Sequence, residues 1–127
     1  MRSVGVFPML KIYTYSGCST CKNAVKWLKQ NDIAFDEKPI RETPPTVAEL
    51  KVVLKAKGGD LRPLFNTSGQ DYRAMGMKEK LPGLSEEEAL QLLASHGNLV
   101  KRPVALDKSA GVALVGFKQD EWAKALA

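Results

Sequence analysis

Residues 10–29 read LKIYTYSGCSTCKNAVKWLK, and the parsing of this stretch decides the fold. The run Leu10-Lys11-Ile12-Tyr13-Thr14-Tyr15 is β-branched and aromatic, as a strand requires. Ser16-Gly17 follows as a turn. From Lys22 to Lys29 the apolar residues recur at helical spacing. The only two cysteines of the chain, Cys18 and Cys21, stand where strand gives way to helix.

A strand, a tight turn and a first helical turn carrying C-x-x-C form a thioredoxin-like redox signature. A free thiol ionises near pH ~8.5, and a helix N-terminus lowers that to about 3.5–7.5. Unpaired N–H groups and the positive end of the helix dipole supply the stabilisation. Cys18 is expected at or just before the first turn, its sulfur facing those donors. Cys21 falls one turn later, within reach of an intramolecular disulfide. Cys18 is then the exposed nucleophile and Cys21 the partly buried resolving thiol, with Lys22 adding a nearby positive charge. Two other readings of the pair exist. Half of a zinc site needs four ligands, and only His96 joins the cysteines as a soft ligand. A pair of inert buried cysteines sits poorly with a strand-turn-helix setting.

A chain of 127 residues fits one domain able to bury a core without disulfide staples. Hydrophobic content of 44% and charged content of 26% are those of an ordinary globular chain. The net charge of +5 comes mostly from dispersed lysines and reads as solvated surface rather than a nucleic-acid footprint. Two cysteines make no disulfide scaffold, and no signal-peptide pattern or membrane-spanning apolar run is evident. The expected setting is a reducing cytoplasm, with no membrane and no direct nucleic-acid partner. Met9 is an alternative start, which leaves residues 1–8 as an upstream extension of a single domain spanning 1–127.

Beyond the first helix, Asn31-Asp32 ends the periodicity, and Ile33 to Pro39 reads as a second strand. Thr43-Pro44-Pro45 breaks the chain, and Thr46 with Glu49 makes a capping box that opens a helix ending at Gly58-Gly59. Leu61 to Met77 is irregular and short-helical. Ser85 with Glu88 opens another helix, which ends at His96-Gly97. Strands at Val104–Leu106 and Val112–Val115 flank a hairpin loop whose Gly111 supplies positive φ. A helix from Lys118 to Leu126 closes the chain. The fold class is therefore α/β: a four-stranded mixed sheet, β-α-β then β-β-α, with a helical insertion at about 41–100. The Lys22/Lys26/Lys29 row reads as the solvated face of the first helix, Trp27, Leu28 and Trp122 as core, and His96 as a helix cap. Arg41, Arg62 and Arg73 are candidates to line the cleft near Cys18.

Lys101-Arg102-Pro103 precedes the third strand. On its own Arg102 reads as a surface residue, and only about 5–6% of X-Pro bonds are cis. The segments YTYSGCSTC, LRPLFNTSGQDYRAMG, VKRPV and GVALVGFKQDE, in this order, change that reading. Over residues 9–127 they resemble the glutaredoxin-related arsenate reductase (ArsC) family, in its Spx/MgsR-type branch. The resemblance implies a thioredoxin fold with a helical insertion between the second and third strands. It matches Cys18 to the catalytic cysteine, Arg102 to an arginine that binds the oxyanion and stabilises the thiolate, and Pro103 to the cis-proline.

Arsenate reductases of that family hold the oxyanion with three arginines. This chain has Asn66 where one is expected, and no arginine follows Arg102. Its second cysteine, Cys21, allows it to close its own disulfide. Two functions follow from the resemblance. One is a thiol–disulfide oxidoreductase with a Cys18/Cys21 couple and no bound cofactor, drawing electrons from thioredoxin or from glutathione and glutaredoxin. The other is an Spx-like redox sensor that binds the RNA polymerase alpha subunit.

Overall fold

The computed structural model describes residues 10–126. The expectation for residues 1–8 lies outside that range. Strand β1 spans Lys11–Thr14, helix α1 Ser19–Gln30 and strand β2 Asp36–Pro39. The insertion carries α2 (Val47–Ala56), α3 (Gln70–Ala74), α4 (Met77–Lys80) and α5 (Glu86–Ser95). Strands β3 (Val104–Asp107) and β4 (Val112–Val115) and helix α6 (Gln119–Leu126) complete it. The sheet order is β2-β1-β3-β4, with β1 parallel to β2 and antiparallel to β3, and β4 antiparallel to β3. This is the mixed sheet that the sequence predicts.

Alternation along β1 sorts its side chains to two cores. Leu10 and Ile12 join Ala24, Leu28, Ala105, Leu114 and Trp122, so α1 and α6 cover one face. Tyr13 joins Val104, Leu106, Leu50, Val53, Leu90 and Leu93, so the insertion covers the other. β2 is shorter than expected. Ile33 and Phe35 do not pair in the sheet; they pack as loop residues against the α1 face. The segment from Leu61 to Met77 gains a short 3₁₀ turn at Arg62–Leu64, and Phe65 forms an antiparallel bridge with Val100. That bridge ties the insertion to the chain just before Arg102. Among the described residues, no helix is long and apolar enough to cross a membrane.

Both capping boxes form, and the first reaches further than a cap. Glu49 is buried, and its carboxylate accepts the Thr46 N–H at 3.0 Å, the Tyr13 hydroxyl at 2.7 Å and the Lys11 ammonium at 2.8 Å. Burial alone favours the neutral acid, but the Lys11, Thr46 and Tyr13 hydrogen bonds outweigh it and lower the Glu49 pKa. One carboxylate thus joins the start of α2 to the central strand.

Glu49→Ala is expected to destabilise the fold by about 3 kcal/mol, the sum of a lost cap and an orphaned buried hydroxyl. Because its folded pKa is depressed, the stabilisation from Glu49 is complete above the ordinary glutamate pKa and lost as pH falls through the folded value. Urea denaturation from neutral to acid pH checks both points. The gap between wild type and variant should narrow toward acid, and a gap independent of pH contradicts the assignment.

Candidate active site

β1 ends at Thr14, and the chain reverses before α1 through a turn closed by the Cys18 N–H donating to the Tyr15 carbonyl at 3.0 Å. Gly17 leaves room for the Tyr15 ring: a Cβ added to it would lie 2.7 Å from the ring edge and displace the ring. Cys18 is the N-cap of α1, extended at φ −103° and ψ 113°, and its Sγ accepts the Cys21 N–H at 3.3 Å. A thiol sulfur therefore occupies the position that a Ser, Thr or Asp oxygen takes at most helix starts. No acidic side chain stands in the first turn of α1 to compete for the dipole.

The two thiols are driven apart. Partial burial opposes ionisation of Cys18, but the hydrogen bonds from Cys21 and the charge of Arg102 prevail, and its pKa falls below the ordinary thiol value. Cys21 is 1% exposed, and burial together with the neighbouring Cys18 pushes its pKa up to about 12. Arg102 is the cation that acts on the pair; Lys22, expected in that role, is exposed to solvent.

Arg102 is half-buried, and its bond to Pro103 is cis. The flanking backbone is fixed on both sides, with the Lys101 N–H on the Leu64 carbonyl and the Gly116 N–H on the Pro103 carbonyl, each at 2.8 Å. The Arg102 guanidinium carbon lies 4.9 Å from the Tyr15 ring centroid, and that of Arg41 lies 5.0 Å from it. Arg41 Nη1 also donates to the Tyr15 hydroxyl at 3.2 Å. Tyr15, Arg41 and Arg102 line a cavity of about 210 Å³ with Asn66, Asn98 and Asp71.

Of the other cleft candidates, Arg62 lines a separate cavity with Thr20 and Lys101, and Arg73 is exposed. The Lys22/Lys26/Lys29 face is exposed as expected, and it borders a further cavity of about 560 Å³ floored by Thr14, Cys21 and Val25. His96 is the C-cap of α5. Among the described residues, no three His, Cys, Asp or Glu side chains are grouped to hold a metal ion. Sequence reasoning placed Tyr15 in the strand and gave Asn98 no role. Neither place is written locally, because each depends on the meeting of separate segments that carry Tyr15, Arg41, Asn98 and Arg102.

This sheet order, with a thiol capping the first helix, defines a thioredoxin-fold protein. The ArsC family model matches residues 13–125, and the chain belongs to that family. It is 45% identical to YusI of Bacillus subtilis (strain 168), over 89% of this chain and 94% of YusI. The crystal structure of an ArsC family related protein from Bacteroides fragilis superposes with a TM-score of 0.84 at 41% identity, covering 91% of this chain and 96% of the other. The global transcriptional regulator Spx of Enterococcus faecalis (strain ATCC 700802 / V583) is 29% identical, over 89% of this chain and 83% of Spx.

Alkylation of Cys18 by iodoacetamide should show a pH midpoint below that of a free thiol. Cys21 should contribute no second inflection up to about pH 10, given its own value of about 12. Arg102→Gln removes a charge that favours the thiolate, so the midpoint moves up toward the free-thiol value. A midpoint unmoved by that substitution shows that the helix start alone sets the ionisation.

Proposed function

We propose that this protein is a thiol–disulfide oxidoreductase in which Cys18 and Cys21 form a dithiol couple. One observation carries the reading: Cys18 Sγ sits partly exposed at the N-cap of α1, accepting the Cys21 N–H, while Cys21 is buried one turn behind it. The Cys18 thiolate attacks a substrate disulfide, the S–S bond breaks, and one half leaves as a thiolate that takes up a proton. Cys21 then loses its proton and attacks Cys18 Sγ. The second half leaves, and a Cys18–Cys21 disulfide remains. Burial, reinforced by the Cys18 charge, keeps Cys21 protonated at rest, and the mixed disulfide removes that second contribution.

The reductant that reopens the disulfide is a cytoplasmic thiol system, thioredoxin or glutathione with glutaredoxin. Arg102 holds the Cys18 charge, and the cis Pro103 backbone lies beside it as the docking edge. Efficient arsenate reduction is not part of this reading, because Arg102 alone remains of the three arginines that the family uses. The likeness to Spx favours a second reading, a redox-sensing regulator that binds the RNA polymerase alpha subunit.

Cys18→Ser is expected to bring disulfide-reductase turnover down to the uncatalysed rate. Cys21→Ser should accumulate a mixed disulfide on Cys18, visible by intact-mass spectrometry. Wild-type turnover by Cys18→Ser sinks the oxidoreductase reading. A pull-down on the C-terminal domain of the polymerase alpha subunit, with reduced and oxidised protein, tests the regulator. Capture that depends on redox state supports it, and no capture in either state removes it.

A further inference from the structure

Arg102 is a cation without an anchor of opposite charge. Among the described residues, no carboxylate lies within ion-pair distance of it, and its Nη1 is buried without a hydrogen-bond acceptor. The backbone on either side is bonded, at the Lys101 N–H and the Pro103 carbonyl, so the freedom left is that of the long side chain. Ordering such a side chain costs entropy that some contact has to offset. The contact that meets it is the Tyr15 ring, whose centroid lies 4.9 Å from the guanidinium carbon. An aromatic face attracts a cation through its quadrupole. The ring is itself confined. The chain at Gly17 passes so close to its edge that an added Cβ would lie at 2.7 Å, and its hydroxyl accepts Arg41 Nη1 at 3.2 Å.

We infer that Tyr15 is a positioning residue of the dithiol centre: its ring seats the Arg102 guanidinium beside Cys18 without neutralising it. This rests on the oxidoreductase reading and deepens it, because it names what holds the cation at that reading's nucleophile. A ring in place of a carboxylate has a chemical consequence. An Asp or Glu paired with Arg102 would fix the side chain too, but its negative charge would cancel the field that favours the Cys18 thiolate. A quadrupole holds the cation and adds no net charge. The acids nearby do not take that role. Asp71 lines the cavity with Tyr15 and Arg102, and Glu37 and Glu42 border a separate one with Tyr15 and Arg41. None of the three is within ion-pair distance of either guanidinium. Of the other groups around Cys18, Cys21 donates its backbone N–H to the sulfur and is itself buried, and Lys22 is exposed. The side chain of Tyr15 therefore acts through Arg102, while its carbonyl accepts the Cys18 N–H as any residue's carbonyl there would.

A double-mutant cycle on stoichiometric alkylation of Cys18 by iodoacetamide tests this. The thiolate forms a C–S bond and iodide leaves, so the pH midpoint of the rate reports its ionisation. Loss of one cation–π contact lowers the ratio of placed to unplaced Arg102 about fivefold. Tyr15→Leu should therefore raise the midpoint most of the way to that of Arg102→Gln. Tyr15→Phe keeps the ring, and its midpoint should stay at the wild-type value. In the Arg102→Gln background, Tyr15→Leu should add no further shift. Should Tyr15→Leu not fold, Tyr15→Ala takes its place in both backgrounds. The inference is overturned by a wild-type midpoint without the ring, or by a shift in Tyr15→Phe as large as in Tyr15→Leu. A full additional shift in the double variant overturns it in favour of a merely structural role. An Arg102→Gln midpoint equal to wild type overturns it as well, since there is then no charge to position. No arm of the experiment needs disulfide turnover, so failure here leaves the oxidoreductase reading to be judged by Cys18→Ser alone.

Discussion

The contact on which the rest of the site depends is the Cys21 N–H donated to Cys18 Sγ at the start of α1. It satisfies a backbone donor that every helix leaves free, and it does so with the atom that carries the chemistry. The helix start and the nucleophile are therefore one structural feature. The sequence spacing follows from it, because a cap bonds the third residue after it, and here that residue is the second cysteine. The two sulfurs are placed by the geometry of a single helical turn, and burial of one end separates their acidities.

The framework was legible because its signals are local. The β1–α1 junction, both capping boxes and the β3–β4 hairpin are each written within a few consecutive residues. The limits of β2 were not, since Ile33 and Phe35 look like strand residues and are held in a loop by packing on the α1 face. At the site, Cys18 and Cys21 could be read from spacing, whereas Arg102 and Pro103 needed the family resemblance. Tyr15 and Asn98 could not be assigned at all, because their places depend on which distant segments meet. The Tyr15 ring meets Arg41 and Arg102 from two distant segments, and Asn98 follows Gly97, which packs on the Ile40-Arg41 backbone.

Arg102 lies at the meeting point of these two kinds of information. The Phe65–Val100 bridge and the Lys101 bond to Leu64 hold it from the insertion, and the Pro103 bond to Gly116 holds it from the sheet. The insertion thus does more than cover one face of the sheet. It delivers Asn66 and Asn98 to the cavity wall that the arginines share with Tyr15, and the loop that enters it delivers Arg41. A minimal sheet with α1 and α6 would keep the dithiol and lose most of the surface around it.

The outer strand β2 reads Asp36-Glu37-Lys38-Pro39, and only Lys38 among them is even partly buried. Its outer edge lies at one end of the sheet order, where a neighbouring chain is able to add a strand. Charged side chains make such pairing costly, and the proline removes one backbone donor from the edge. A protein whose central strand β1 leads into the Cys18 turn thereby keeps one border of its sheet closed to other strands, so encounters between copies are steered away from sheet extension on that side.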